Sequence, residues 1–252
     1  MKKSILAIFW LTIIQVSFAQ NSIQDSVSSK RSTLNNFKFT PLIIPTACIA
    51  YGIIGLNSSE LKKINLDIQS NVIKSNPAKI IIDDYLQYAP ALSVYGLNSL
   101  GVQGKHNFKD RTVILGTSML FVFTSVSALK KTTKIERPDG SASNSFPSGH
   151  TALAFAGAEF MYQEYKEVSI WYGISAYAVA TTTGTLRIYN NKHWFSDVVT
   201  GAGFGILSTK AAYLLAPYFN KHIFPSMTGK CTAFLIPTLD GGILGGAFFW
   251  SF

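Results

Sequence analysis

The chain has 252 residues, with 22 Lys and Arg against 13 Asp and Glu, a formal charge of +9, and only 14% charged residues against 48% hydrophobic ones. Eighteen Phe, 11 Tyr and 4 Trp exclude a disordered chain. Two cysteines, Cys48 and Cys231, exclude a disulfide framework and a multi-cysteine zinc site, and both read as free buried thiols. A charged fraction well below the quarter usual in soluble domains points to one large domain with apolar surface to spare.

Taken in chain order, Lys2 and Lys3 precede an apolar stretch from Ile5 to Phe18, and Ser17-Phe18-Ala19 places small residues just before Gln20. This is the pattern of a cleaved secretory signal over 1–19; an uncleaved anchor is the alternative, although the stretch is short for a span. Removing it lowers the charge from +9 by two, to +7. A basic exported chain suits anionic partners such as phospholipid headgroups or lipopolysaccharide. Nucleic acid does not fit, because no dense Lys/Arg cluster is interleaved with aromatics.

Residues 20–38, rich in Ser, Asn and Gln, read as a flexible leader. Uncharged runs follow at Phe39–Leu56, Tyr85–Gly104, Thr112–Leu129 and Val168–Leu186, and Val198–Pro217 is interrupted only by Lys210. Each approaches the length of a bilayer-spanning helix. Pro41 and Pro45 break the first run, and Pro90 with several polar residues weakens the second. The expectation is an all-α, membrane-associated bundle over 39–230, in which not every run crosses. With an exported leader, a periplasmic site after Leu129 requires the first or second run to lie flat or re-enter. The tail, 231–252, is rich in Gly and aromatics and reads as a short extended segment without chemistry of its own.

Three polar blocks stand at the ends of the apolar runs. Lys130 is followed at seven by Arg137 and Pro138. Phe146-Pro147-Ser148-Gly149-His150 opens a helix of small residues. Arg187 is followed by His193 at six and Asp197 four later. Three cations at the mouths of apolar elements are costly unless an anion is regularly present. Arginine's fork matches two phosphate oxygens and lysine adds a point charge. Ser148 can cap the helix start, and Gly149 lets a backbone N–H approach closely, so the helix N-terminus adds a further anion donor. This is a design for stabilising a phosphoryl group. If a helix begins near Lys192, His193 and Asp197 share one face, Asp197 accepts the Nδ1 proton, and Nε2 is left as a nucleophile toward phosphorus. His150 is placed to protonate the leaving oxygen. Such chemistry needs neither metal nor cofactor, and the sequence offers no carboxylate cluster for a metal.

These blocks resemble the signature of the type 2 phosphatidic acid phosphatase superfamily, which also holds bacterial class A acid phosphatases and vanadium-dependent haloperoxidases. Its pattern is Lys-x6-Arg-Pro, Pro-Ser-Gly-His and Ser-Arg-x5-His-x3-Asp, and the likeness covers roughly residues 85–216. The resemblance implies that Lys130, Arg137, Ser148, Gly149 and Arg187 bind phosphate, that His193 is the nucleophile with Asp197 its partner, and that His150 is the acid. It implies a metal-independent lipid phosphatase working through a phosphohistidine, while the Ser17-Phe18-Ala19-Gln20 pattern points to the envelope of a Gram-negative bacterium. Candidate substrates are lipid A, undecaprenyl pyrophosphate, phosphatidic acid and phosphatidylglycerol phosphate. Two departures stand out. Leu186 occupies the pattern's serine, with Thr185 nearby, and only eight residues separate Pro138 from Pro147, which implies a compact rim.

Taken singly, Lys130 or Arg187 reads as a snorkelling cation, and His193 with Asp197 as a surface pair. His106 and His222 read as plain loop or surface histidines. Asp83, Asp84 and Glu159 have two readings, as groups that support a site from behind and, preferred, as helix-start acids and a solvated face. The competing functions are a soluble periplasmic acid phosphatase of broad specificity, a haloperoxidase-like enzyme and an inactive lipid-phosphate binder.

Overall fold

The structure is a computed structural model that describes residues 39–75, 78–222, 232–240 and 243–251. The signal and leader readings, and Cys231, lie outside those residues. The order is α1 (Thr40–Gly55), α2 (Ser59–Ser75), α3 (Asp83–Leu86), α4 (Ala89–Ser99), α5 (Phe108–Thr133), α6 (Gly149–Tyr165), α7 (Ile170–Tyr189), α8 (Phe195–His222), then strands β1 (Thr232–Asp240) and β2 (Ile243–Ser251). The chain forms two compact units, one through Ala212 and one from Tyr213 onward. Within the second, β1 and β2 pair antiparallel from Thr232↔Ser251 to Asp240↔Ile243, so the tail is extended as expected.

In the first unit α6 is central and packs against α4, α5 and α7. It is built for that place: Ala152, Ala154, Ala156, Ala158 and Phe160 are all buried, so apolar side chains surround the helix. α8 comes close to α6 because it carries glycine where they touch. A Cβ on Gly201 would lie 2.5 Å from the Ser148 carbonyl oxygen, and one on Gly205 would lie 2.3 Å from that of Ala152. This four-residue spacing of small residues is a common way to bring two apolar helices together. On another side of α8, Gly203 meets Pro45, while Gly52 meets Thr200 and Gly55 approaches Ser196. As α1 advances its partners on α8 recede, so α1 runs antiparallel to α8 and ends beside the first turn of α8.

α5 and α8 are each long and apolar enough to cross a membrane. The first apolar run is different. α1 has 16 residues, about 24 Å at the helical rise and short of a roughly 30 Å hydrocarbon core. The chain then bends by 95° into α2. α2 carries Lys62, Lys63, Asp67 and Lys74 together with exposed Ile64, Leu66 and Ile73, a composition suited to an interface. Asn65 binds it to the bundle: its Nδ2 donates to Ser196 Oγ at 2.9 Å, and its Oδ1 accepts from the Ser196 N–H at 3.1 Å. The second run is also no single span, since it divides into α3 and α4, four and eleven residues long. The expected irregularity thus falls on both early runs.

Glu159, read as part of a solvated face, is instead paired inside, and His106, in the loop before α5 as expected, is paired as well. Glu159 is 2% exposed and accepts from Lys210 at 2.7 Å, from Gln163 at 2.6 Å and from the Tyr177 hydroxyl. His106 Nδ1 lies 2.7 Å from Glu164, which also accepts from Arg111 Nε at 3.3 Å. A carboxylate inside an apolar bundle persists only with such partners. His222 lies where no side chain is described.

Gly201→Ala or Gly205→Ala forces a methyl into a backbone carbonyl and should cost about 1–3 kcal/mol. Gly96→Ala and Gly116→Ala, where nothing lies within 4 Å of the added carbon, should be neutral or stabilising. Thermal unfolding in detergent, comparing the two pairs, measures this directly.

Candidate active site

The three blocks meet at one end of the first unit. Lys130 lies in the last turn of α5, where its Nζ donates to the carbonyls of Asn144 and, at 3.5 Å, Ser145. The chain leaves α5 through Lys134, whose φ of 48° is left-handed, and enters a short rim. The eight residues of that rim are cross-tied. Ser145 N–H donates to the Ile135 carbonyl and Arg137 N–H to that of Ala142, and Arg137 Nε bonds Asn144 Oδ1 at 2.9 Å. Lys192 Nζ reaches Asp139 at 2.6 Å and Trp194 Nε1 donates to the Glu136 carbonyl, so the rim is pinned to the loop before α8. The rim is compact, as its length implied.

Ser148 caps α6, with its hydroxyl accepting from the Thr151 N–H. Its own N–H donates to the Asp197 carbonyl at 3.0 Å, which locks the starts of α6 and α8 together. α8 begins at Phe195, so His193 lies in the loop before it rather than on a helical face shared with Asp197. The pair still forms. Asp197 Oδ2 accepts from the Trp194 N–H at 3.0 Å, folding the carboxylate back over the helix start, and lies 3.5 Å from His193 Nδ1. That is long for a direct hydrogen bond. Ser145 fills the gap: its hydroxyl donates to the same Asp197 oxygen and lies 3.4 Å from Nδ1. His193 is 2% exposed and Asp197 1%. Burial pushes the His193 imidazole down to about 4, opposed by Asp197 and assisted by the charges of Lys130 and Arg187. The ring is therefore neutral through ordinary pH, with Nδ1 engaged and Nε2 the available nitrogen.

Arg187 closes the last turn of α7, and its carbonyl accepts from the N–H groups of Lys192 and His193, which sets the turn that carries the histidine. Its guanidinium is buried and donates from Nη1 to Asp83 at 2.7 Å and to Asp84 at 3.4 Å. Asp84 also lies 3.0 Å from His150 Nε2. The acids read as helix-start groups are therefore part of the site, Asp83 being 1% exposed. Asn190 holds their segment in place, bonding both backbone groups of Ile80 and, at 3.3 Å, Asp83. The doublet is plain in the sequence, but its partner Arg187 stands 104 positions away, and no local spacing signals the pairing. Ser145 and Asn144 were missed for a related reason, since they lie between two recognised blocks.

Two features favour an anion. Arg187 Nε is buried with no partner, a donor awaiting an oxygen. The Arg137 guanidinium is pulled down from its ordinary range by burial and then by the Arg187 charge beside it, so the cations converge without full neutralisation. At the Leu186 departure the replacement is lost as well. The Thr185 hydroxyl donates to the Thr181 carbonyl of its own helix at 2.9 Å and makes no donor for the site.

Residues 111–221 match the model of the PAP2 superfamily. The matched stretch is under half of the chain and is where the likeness to that superfamily lies. Over 149 residues it is 38% identical to a lipid A 1-phosphatase of Porphyromonas gingivalis, an alignment covering 59% of this chain and 33% of that protein. The chain thus spans about a third of that relative's length. It is also 26% identical over 201 residues to the bacitracin transport permease protein BcrC of Bacillus licheniformis, covering 73% of this chain and 92% of that one. Two solved structures align at 22% identity. Aquifex aeolicus LpxE gives a TM-score of 0.44 over 60% of this chain and 95% of its own, and the PAP2-type phosphatidylglycerolphosphate phosphatase of Bacillus subtilis gives 0.45 over 71% and 97%. All three polar blocks fall within the matched residues 111–221.

Because the folded His193 value lies below the unfolded one near 6.5, the unfolded chain binds the extra proton between pH 6.5 and about 4. Stability should fall as pH is lowered through that window. In His193→Gln this contribution to the fall should disappear, as read by thermal unfolding against pH.

Proposed function

We propose that the protein is a membrane-associated phosphatase that releases phosphate from a lipid through a phosphohistidine, without a metal ion or cofactor. The observation that carries this reading is the buried His193, neutral and held by Asp197 and Ser145, beside three cations with the unpartnered Arg187 Nε among them. Lys130, Arg137 and Arg187, with the helix start at Ser148 and Gly149, bind the phosphoryl oxygens and stabilise their charge as the reaction proceeds. His193 Nε2 attacks phosphorus, the P–N bond forms and the bond to the leaving oxygen breaks. His150 gives that oxygen a proton. Water then attacks the phosphohistidine as His150 takes its proton back, and orthophosphate departs.

A lipid substrate is supported by the two span-length helices and by the lipid A 1-phosphatase relative. The candidates are lipid A, undecaprenyl pyrophosphate, phosphatidic acid and phosphatidylglycerol phosphate.

The test is phosphate release by detergent-purified protein, with EDTA present, on those four lipids and p-nitrophenyl phosphate. Activity should survive EDTA and be inhibited by vanadate. His193→Ala should abolish turnover, and His150→Ala should slow it by about a hundredfold or more. Full activity in His193→Ala would refute the assigned nucleophile. Better turnover of the soluble ester than of any lipid would indicate a broad acid phosphatase.

A further inference from the structure

We propose that Asp84 is a positioning residue for His150, and that the pair selects lipid phosphomonoesters over lipid diphosphates; this rests on the phosphatase reading above. Asp84 Oδ1 lies 3.0 Å from His150 Nε2 and 3.4 Å from Arg187 Nη1. Asp83 occupies the same Arg187 nitrogen at 2.7 Å, and two Asn190–Ile80 hydrogen bonds hold the segment that carries both acids. With the Nε2–H of His150 held by Asp84, the proton available for transfer is the one on Nδ1, the same division of labour that a carboxylate imposes on a catalytic histidine elsewhere.

The chemistry of the two substrate classes then separates them. In a phosphomonoester of an alcohol or sugar, the electrons of the breaking P–O bond go to an alkoxide-like oxygen, which leaves poorly unless protonated. In a diphosphate they go to a phosphate oxygen, a weak base that leaves without a proton. A charged His150 is therefore worth much to the first and little to the second. The groups facing the ring act in opposite directions. Burial and the Arg187 charge drive it toward neutrality, while Asp84 and Asp83 favour the protonated form. Asp84 also opposes the second substrate directly, since a leaving phosphate brings negative charge beside its carboxylate.

The experiment compares wild type and Asp84→Asn in detergent micelles on three substrates: phosphatidic acid, undecaprenyl pyrophosphate and p-nitrophenyl phosphate, whose aryl leaving group is weakly basic. The asparagine keeps the shape and removes the charge. The wild type should prefer the monoester. In the variant, the ratio of monoester to diphosphate turnover should fall about tenfold or more. The fall should lie in kcat more than KM, and the aryl ester should follow the diphosphate. The alkaline limb of the monoester pH–rate profile should move to lower pH, because the remaining surroundings favour the neutral ring. Equal losses on all three substrates with an unmoved limb would overturn the inference, leaving Asp84 a strut for Arg187. So would unchanged kinetics, or a wild-type preference for the diphosphate. Wild-type silence on all three would instead bring down the phosphatase reading itself.

Discussion

The site depends on one buried guanidinium. Arg187 stands at the C-terminal end of α7, where a cation is favoured by the helix dipole. Its carbonyl organises the turn that presents His193, and its side chain draws the Asp83–Asp84 segment across to His150. Removing this charge would leave a buried carboxylate without its strongest partner and the two histidines without a common reference. The surrounding bundle explains why the guanidinium can be kept there. Alanines on α6 and glycines on α8 bring backbones so close that the helix starts at Ser148 and Phe195 are joined by a single hydrogen bond. A pocket rigid on that side can hold like charges near one another without spreading.

The two histidines are treated differently by this frame. His193 is sealed from solvent, depressed by burial, and shares Asp197 with a serine hydroxyl and a backbone N–H. His150 stays partly open, with a carboxylate that also faces solvent. Environments of such contrast separate the titration of two like side chains. Burial lowers both imidazoles from their ordinary value, so the proposed donating role of His150 rests on Asp84, 3.0 Å from its Nε2, holding the ring when it is charged.

Much of this was legible in the chain, for local reasons. The three blocks are short, each stands where an apolar run starts or stops, and Ser148 caps as its position before Gly149 suggests. Other features were hidden by distance. Asp83 and Asp84 read as helix-start acids because nothing near them announces Arg187, and Glu159 read as solvated because Lys210 lies 51 positions on. The run at 85–104 is interrupted as its polar residues suggest, dividing into two short helices with Pro90 in the first turn of the second, whereas α8 begins three residues later than a helix from Lys192. Pro41, by contrast, fits the first turn of α1, where its missing N–H is no loss.

The right-angle bend after α1 has a geometric consequence. α1 follows α8 down to the first turn of α8, and α2 then turns across that end, bound through Asn65 to Ser196, the neighbour of Asp197. With α8 upright in a bilayer, α2 lies across that end and presents both lysines and the exposed Ile64, Leu66 and Ile73 at its level. Under the proposed function this arrangement sets the His193 end at the level of the headgroups, where a lipid phosphate is reached by movement within its own leaflet while its tails stay in the hydrocarbon.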